Sequence, residues 1–386
     1  MKKLLAVVLL AALLCGCSKR DTATAPAAEP APVATPAPTP EPTPEPTPEP
    51  VVIGGKSFET TVESVDLSGT ACTVAELSEA LAKLPALKEV NLRGAALSNE
   101  EKLTLADSFP DVVFGWEVDV LGVMVDSTDE YICLDNIPME NTEALEALLP
   151  LLSGVKKIDM CHCGIDNESM YQLNQRHEGI RFIWVAPFGS SRQRTDITYF
   201  NHNNIGMLSN LDDSRLDVDL RYYPDLIALD LGHCYVNIQR CDWLKYTPKL
   251  QYLILADCHI TDITPIGELQ DLKFLELFVN RPLEDVSALA KLKKLETLNL
   301  SSTAVRDVRC LKECTALRYC WLNYCWNLPE EYVKELAASL PDCLVNMTPY
   351  GPTSGGWRDL DVYFEMRDAF HADYMGGNAG DANIVH

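Results

Sequence analysis

The chain has 386 residues, 47% of them hydrophobic, so it can bury a large core and is not an intrinsically disordered protein. Lys and Arg number 32 against 56 Asp and Glu, which gives a formal net charge of −24 at pH 7. A surface with this charge repels phosphate backbones and anionic lipid headgroups, so we expect no nucleic acid partner.

The N-terminus has the pattern of an export signal. Two lysines precede an apolar run that is shorter than the ~20 residues a membrane-spanning helix needs. The run ends in Leu14, Cys15, Gly16 and Cys17, which resembles the lipobox of bacterial lipoproteins. The resemblance implies a signal peptide over residues 1–17 and lipidation of Cys17, with a plain secretory signal as the alternative. We therefore expect an extracytoplasmic protein that contacts the membrane through its lipid anchor only.

Residues 18–50 form a linker rich in Pro, Thr and Glu, which ends in the repeated sequence TPEPTPEPTPEP. Proline fixes the backbone and removes hydrogen-bond donors, and the other residues offer little apolar surface to bury. The composition predicts a disordered spacer that extends about 3.1 Å per residue where it adopts polyproline II geometry.

Residues 51–190 contain two copies of a 68-residue unit. The segment 87–116 aligns with 155–184 without a gap, and Trp116 falls on Trp184. Each copy begins with a strand pattern followed by an amphipathic helix pattern. A duplication of one strand–helix unit explains the alignment.

A shorter unit repeats through residues 191–347. Leucines head the same pattern at intervals of 24, 22, 23 and 22 residues, at Leu226, Leu250, Leu272, Leu295 and Leu317. Each segment has the form L-x-x-L-x-L-x-x-(N/C/T), which resembles the leucine-rich repeat of the 22-residue kind found in bacterial internalin-type surface proteins.

The resemblance implies an α/β fold: a leucine-rich repeat solenoid with a parallel concave sheet and with helices and turns on its convex side. One coil cannot offset its own ordering entropy, so stacked coils must share a core. We expect the leucines in the middle of successive strands to form one inward row, at Leu229, Leu253, Leu275 and Leu298.

Residues 348–386 are assigned to a C-terminal cap and tail. After a glycine-rich turn, Tyr363, Met366, Phe370 and Tyr374 recur about one helical turn apart. Because a solenoid needs its last coil covered, we interpret this segment as an end cap. A helix that docks on a partner is the alternative.

Reaction motifs with recognisable spacing, such as nucleophile elbows, zinc-protease helices and phosphate-binding loops, are absent from the sequence. We expect no enzymatic activity and no cofactor. The alternative is an exported hydrolase that uses His233 or His259 near Asp257 and Cys234.

Cysteine is frequent for an exported protein, with 14 residues in the chain. Cys234 and Cys258 hold the same position in neighbouring coils, close enough for a disulfide. Buried free thiols are our preferred interpretation, because cysteine packs as a small hydrophobe. The best candidates for a single bridge are Cys310, Cys314, Cys320 and Cys325.

Two patterns raise the question of metal binding. The sequence CHC at 161–163 carries zinc ligands, but alternate strand residues point to opposite faces, so we expect no metal there. Asp262, Asp285 and Asp307 recur in successive coils, where capping of tight turns explains them better than a calcium ladder.

The strand residues that flank the inward leucines should form the concave face. Aromatic side chains are interleaved with acids there, a composition typical of binding hot spots. We predict that this face binds a protein, peptide or glycan ligand, with a purely structural envelope role as a further alternative. The predicted ligand-binding residues are Tyr252, Ile254, Asp257, Phe274, Glu276, Phe278, Asn299, Tyr319, Trp321 and Tyr324.

Overall fold

The computed structural model describes residues 49–201, 211–233, 238–348 and 356–371. Cys17, the signal peptide and the linker as far as residue 48 lie outside these ranges, so lipidation and tethering stay predictions. No helix among the described residues is both long and apolar enough to cross a membrane.

The described residues alternate short strands with helices and turns. The first twelve strands are β1 (Val51–Ile53), β2 (Lys56–Phe58), β3 (Ser64–Asp66), β4 (Glu89–Asn91), β5 (Val113–Gly115), β6 (Glu117–Val120), β7 (Val123–Asp126), β8 (Tyr131–Cys133), β9 (Lys157–Asp159), β10 (Arg181–Ile183), β11 (Val185–Phe188) and β12 (Ser191–Arg194). The other seven are β13 (Tyr199–Asn201), β14 (Ala228–Asp230), β15 (Tyr252–Ile254), β16 (Phe274–Glu276), β17 (Thr297–Asn299), β18 (Tyr319–Trp321) and β19 (Leu344–Asn346). The α-helices are α1 (Val74–Leu81), α2 (Asn99–Ser108), α3 (Glu143–Glu146), α4 (Asn167–Arg176), α5 (Asp213–Asp219), α6 (Glu330–Ser339) and α7 (Asp361–Ala369).

The N-terminal part consists of two similar units. In the first, β3, β4 and β5 form a parallel sheet, and the antiparallel hairpin β6–β7 follows. In the second, β8, β9 and β10 pair in the same way and the hairpin β11–β12 follows. Helices α2 and α4, and the hairpins, recur at the offset of 68 residues found in the sequence. The second hairpin runs to Arg194, four residues past the boundary assigned from the sequence.

The C-terminal repeats build one seven-stranded parallel sheet in chain order from β13 to β19. Its register pairs the middle residues of successive strands, and they are fully or almost fully buried. This inward row contains the four predicted leucines and continues into the next strand: Leu229, Leu253, Leu275, Leu298 and Cys320. The predicted register is confirmed, and it fits a leucine-rich repeat solenoid.

The hydrophobic core is continuous, although the sheet is not. One cluster of buried residues extends from Val51 to Cys343. The parallel strands are divided into two sheets of three and one of seven, with a hairpin after each of the smaller sheets. The antiparallel pairs β6–β7 and β11–β12 separate the parallel sheets, an interruption that the sequence did not predict.

The recurrent aspartates cap turns on the side of the coils away from the sheet. The Oδ1 atoms of Asp262, Asp285 and Asp307 each accept a hydrogen bond from the backbone N–H two residues later, at 2.8, 2.8 and 2.9 Å. A 3-10 helix begins at that residue in each coil. Capping is confirmed as their structural role.

At the ninth position of two described coils, a small polar side chain bonds to loop backbone. Asn280 accepts from the N–H groups of Cys258 and Ile260 and donates to the carbonyls of Leu255 and Leu277, at distances of 2.7–3.1 Å. Thr303 Oγ1 donates to the Leu300 carbonyl at 2.7 Å. These bonds satisfy backbone groups that the turn leaves buried.

The cysteines described are free thiols, and most are buried. Among them are the four candidates for a single bridge, so that bridge is not formed: Cys310, Cys314, Cys320 and Cys325. Desolvation raises the pKa of the Cys310 thiol to about 11 and that of Cys314 to about 12, which keeps both protonated and unreactive. Cys234 lies outside the described residues, so the Cys234–Cys258 pair is untested.

The described part of the C-terminal segment, residues 356–371, packs on the sheet and not on the end of the last coil. Strand β19 lies at the edge of the sheet, and Leu344 in that strand keeps 53% of its surface exposed. Residues 356–371 instead pack on the sheet, where Tyr363, Met366 and Phe370 are buried. For the described residues of this segment the end-cap prediction is therefore wrong in position, because the buried side chains of α7 pack against strand residues of the sheet.

Candidate functional site

The candidate site is the outer sheet face, defined here as the surface formed by the first and third residues of strands β14 to β18. The structure brings seven of the ten predicted ligand-binding residues together on it. The first-residue row contains Tyr252, Phe274 and Tyr319, and the third-residue row contains Ile254, Glu276, Asn299 and Trp321. The rows follow directly from the two-residue alternation of side chains along a strand.

Most of this face is covered rather than open. Phe274, Glu276 and Trp321 are 1%, 3% and 0% exposed, and Ile254 and Asn299 are also buried. Tyr252 and Tyr319 remain partly exposed. The expectation of an exposed aromatic surface is therefore wrong for the described protein, because the chain's own C-terminal segment lies on it.

Trp357 anchors that segment. Its fully buried indole lies 5.5 Å from the Phe274 ring and 5.2 Å from the Trp321 indole, measured between ring centroids. The contact with Trp321 is edge-to-face, a geometry that aromatic pairs favour. Trp357, with the buried residues of α7, forms a second hydrophobic cluster with the sheet that is separate from the core inside the coils.

Hydrogen bonds hold one end of the segment, and a stacked ring pair holds the other. At its start, Asp361 accepts hydrogen bonds from the Arg318 guanidinium at 2.8 Å and from the Tyr319 hydroxyl at 3.2 Å. At its end, the His371 ring stacks on Tyr199, with the centroids 4.7 Å apart. The segment thus extends across the sheet from β18 to β13.

A buried carboxyl group lies under the segment. Burial, and to a smaller extent the negative charge of Asp230, raise the pKa of Glu276 to about 8, so the group is mostly neutral at pH 7. Glu276 Oε2 and the Tyr363 hydroxyl are buried without a hydrogen-bond partner among the described residues. Unpaired polar groups weaken an interface, so this contact between sheet and segment is less stable than its apolar area suggests.

The other three predicted residues lie at the margin of the face. Asp257 and Tyr324 occupy the turn after their strands in left-handed conformation, with φ of 55° and 59°. Phe278 is half-buried, and its ring meets His233 edge-on at 5.5 Å. These side chains belong to the turn edge of the coils rather than to the sheet surface.

The residues of the hydrolase alternative do not form a compact site among the described residues. His233 Nδ1 lies 3.6 Å from Asp257 Oδ2, too long for a hydrogen bond that orients a catalytic histidine. His259 is exposed on the surface, and Cys234 lies outside the described ranges. Nor do the described residues contain any group of His, Cys, Asp or Glu side chains that could hold a metal ion.

Trp357 was not predicted from the sequence, although it contributes the largest buried side chain to the segment that lies on the sheet. Its signal in the sequence was a lone tryptophan after a glycine-rich turn, just before the helical pattern that was recognised. That pattern identified the apolar side of α7 correctly. It did not indicate which surface the helix would meet.

Comparisons with known proteins found similarities to leucine-rich repeat proteins. No protein-family model matches the chain. A stretch of 87 residues, 22% of the chain, is 39% identical to the mouse leucine-rich repeat-containing protein 56, of whose length it spans 15%. Among solved structures, an internalin (inlF) of Listeria monocytogenes is 16% identical with a TM-score of 0.29, over 80% of this chain and 89% of that one. A leucine-rich repeat protein of Leptospira interrogans is 14% identical with a TM-score of 0.31, over 69% and 74%.

Proposed function

We propose that the protein is a leucine-rich repeat interaction protein that binds a helical segment of a partner protein on its outer sheet face. In the free protein, residues 356–371 occupy that face, and the partner takes their place. The observation that carries the proposal is the fit of Trp357 and α7 to the sheet, which supports a surface suited to an amphipathic helix with an aromatic anchor.

Weak points in the internal contact favour exchange. Glu276 Oε2 and the Tyr363 hydroxyl are buried at the interface without a hydrogen-bond partner among the described residues, and the Arg318–Asp361 ion pair at its edge is solvent-exposed. A partner helix that supplies a donor to Glu276 and an apolar anchor between Phe274 and Trp321 would bind the same surface with fewer unpaired groups.

The proposal includes the setting predicted from the sequence. A lipid on Cys17 and the Pro-rich spacer would hold the repeats at a distance from the cell membrane, as suits an adhesion or envelope-interaction protein. The lipobox-like sequence supports this part of the proposal. Metabolic labelling with a palmitate analogue tests it: label on the wild-type chain and none on Cys17→Ser is expected, and equal label on both would contradict it.

The binding surface can be tested with the full chain. Trp357→Ala should release the C-terminal segment, so that a partner from an extracytoplasmic protein fraction can be cross-linked through Lys273, which borders the segment beside Tyr252 and Glu365. We expect mass spectrometry to find far more partner peptide linked to Lys273 in this variant than in wild type.

Phe364→Ala provides the matched control, because Phe364 belongs to the same helix but is 49% exposed and does not contribute to the cluster on the sheet. This variant should behave as wild type. Capture that is the same in all three proteins, or that links only lysines away from the sheet, would refute the proposed surface.

A further inference from the structure

A second surface, distinct from the sheet face, lies along the turn edge of the last coils. A groove of about 700 Å³ is lined by Val279, Arg281, Ser302, Thr303, Ala304, Tyr324, Trp326 and Asn327. Trp326 is 78% exposed, more than any other large hydrophobic side chain in the described ranges. Its ring lies 5.3 Å from that of Tyr324, and the two planes meet at 44°. The two rings form an angled aromatic wall that no described residue covers.

One-residue insertions in two coils create the groove. In the coils that begin at Leu250 and Leu295, the next buried hydrophobic residue lies two positions after the ninth position: Ile260 after Cys258, and Val305 after Thr303. In the coils that begin at Leu272 and Leu317, the interval is three residues, from Asn280 to Leu283 and from Cys325 to Leu328.

The extra residues form two ridges. They bring Arg281 to one side and Trp326 with Asn327 to the other, while Ala304 of the uninserted coil between them lines the groove. The arrangement repeats two coils apart, so the ridges are separated by two strand spacings, ~9.6 Å.

The chemistry of the two ridges differs. Arg281 is exposed and has no ion pair or side-chain hydrogen bond with a described residue, although many cations of this acidic protein are paired. Its neighbour Arg306, in contrast, is held by Glu284 at 3.0 Å. One ridge therefore offers a free guanidinium for a carboxylate, and the other offers aromatic faces for an apolar ring.

The spacing of the ridges matches one peptide conformation. A polyproline II helix repeats every three residues with a rise of about 3.1 Å per residue, ~9.3 Å per turn. A peptide in this form that lies along the row of coils presents residues i and i+3 to the two ridges. Aromatic-lined grooves recognise proline-containing segments in this way because the ligand is already ordered.

We propose that this groove binds an extended peptide with a glutamate and a proline three residues apart. The glutamate pairs with Arg281, and the proline ring packs against Trp326 and Tyr324. Ser302 and Asn327 supply polar groups for the peptide backbone between them. A saccharide carrying carboxylates would use the same two ridges but has no reason to follow the three-residue spacing.

The test uses the full chain and fluorescein-labelled twelve-residue peptides that place one Glu and one Pro two, three or four residues apart in an identical Thr/Ala background. Fluorescence anisotropy should show the tightest binding at a separation of three. Arg281→Ala and Trp326→Ala should each weaken that binding at least tenfold. Replacing the peptide Glu by Gln should abolish the effect of Arg281→Ala.

Two exposed positions elsewhere provide matched controls. Lys312→Ala removes a cation from the 3-10 helix Arg309–Glu313, and Met124→Ala removes an exposed apolar side chain from the hairpin β6–β7. Both should bind as wild type. Equal binding at all three separations, no binding at 1 mM peptide, or binding of an oligogalacturonate but of no peptide would each overturn the proposal.

Discussion

At the scale of single residues, Asn280 at the ninth position of its coil shows how one side chain supports the repeat. Asn280 satisfies four buried backbone groups from two coils. Its position and small polar character were predictable from the pattern N/C/T. The number of its bonds was not, because it depends on how closely the neighbouring turn approaches.

Asn280→Ala should destabilise the protein by ~3–5 kcal/mol, because two N–H groups and two carbonyls lose a partner in the interior. Thr303→Ala is the comparison, and we expect it to cost only about 1 kcal/mol. The Leu300 carbonyl that Thr303 contacts also accepts from Cys325 Sγ at 3.1 Å and so stays bonded. Urea unfolding of both variants measures the difference, and equal losses would contradict this explanation.

Glu276 makes the stability of the protein dependent on pH. In the folded protein its pKa is raised to about 8 from the ordinary value of 4.5, chiefly by burial. Between these two values the folded state binds more protons than the unfolded state. The free energy of unfolding therefore falls as pH rises through this window, by up to about 1.4 kcal/mol per pH unit from this group.

Glu276→Gln should remove this contribution, since an amide has no proton to lose. The charged and titratable groups around it, Asp230, Arg358 and Tyr363, are unchanged in the variant. Urea unfolding midpoints measured at pH 5.5, 7.0 and 8.5 should show that the stability of the variant relative to wild type increases as pH rises. Parallel pH profiles for the two proteins would show that Glu276 is not the group responsible.

At the scale of elements, the sequence predicted what each segment is better than where it lies. The repeats at Leu250 and Leu272 fixed the strands β15 and β16, because period and register are local properties of the chain. The hairpins β6–β7 and β11–β12 were missed, since their strands are short and follow directly on parallel ones. The placement of α7 was also missed, because it depends on which distant surface offers most apolar area.

The contacts that hold α7 on the sheet should contribute unequally to its stability. Trp357→Ala removes a fully buried indole, a change that typically costs 3–5 kcal/mol, and should increase amide hydrogen exchange throughout residues 361–369. Asp361→Ala removes exposed contacts, the ion pair with Arg318 and the hydrogen bond from the Tyr319 hydroxyl, and should change exchange little. Faster exchange in Asp361→Ala than in Trp357→Ala would mean that the aromatic anchor does not hold the helix.

At the scale of the whole molecule, one chain builds two kinds of hydrophobic cluster. The first runs inside the coils from Val51 to Cys343 and follows from stacking of repeats. The second forms outside the coils, where Trp357 and α7 meet the sheet. Seven of the ten predicted site residues lie on the sheet in the predicted register. Their exposure was not predicted correctly, because residues from the end of the same chain cover them.

We propose that the outer sheet face is a helix-binding site, which residues 356–371 occupy in the free protein. The most direct measurement is the binding of a labelled synthetic peptide of those residues to the full chain and to a chain that ends at residue 348, with a Trp357→Ala peptide as control. We predict saturable one-to-one binding to the shortened chain, at least tenfold weaker binding to the full chain, and loss of binding with the control peptide. Equal affinity for both chains, or binding that does not depend on Trp357, would contradict the account.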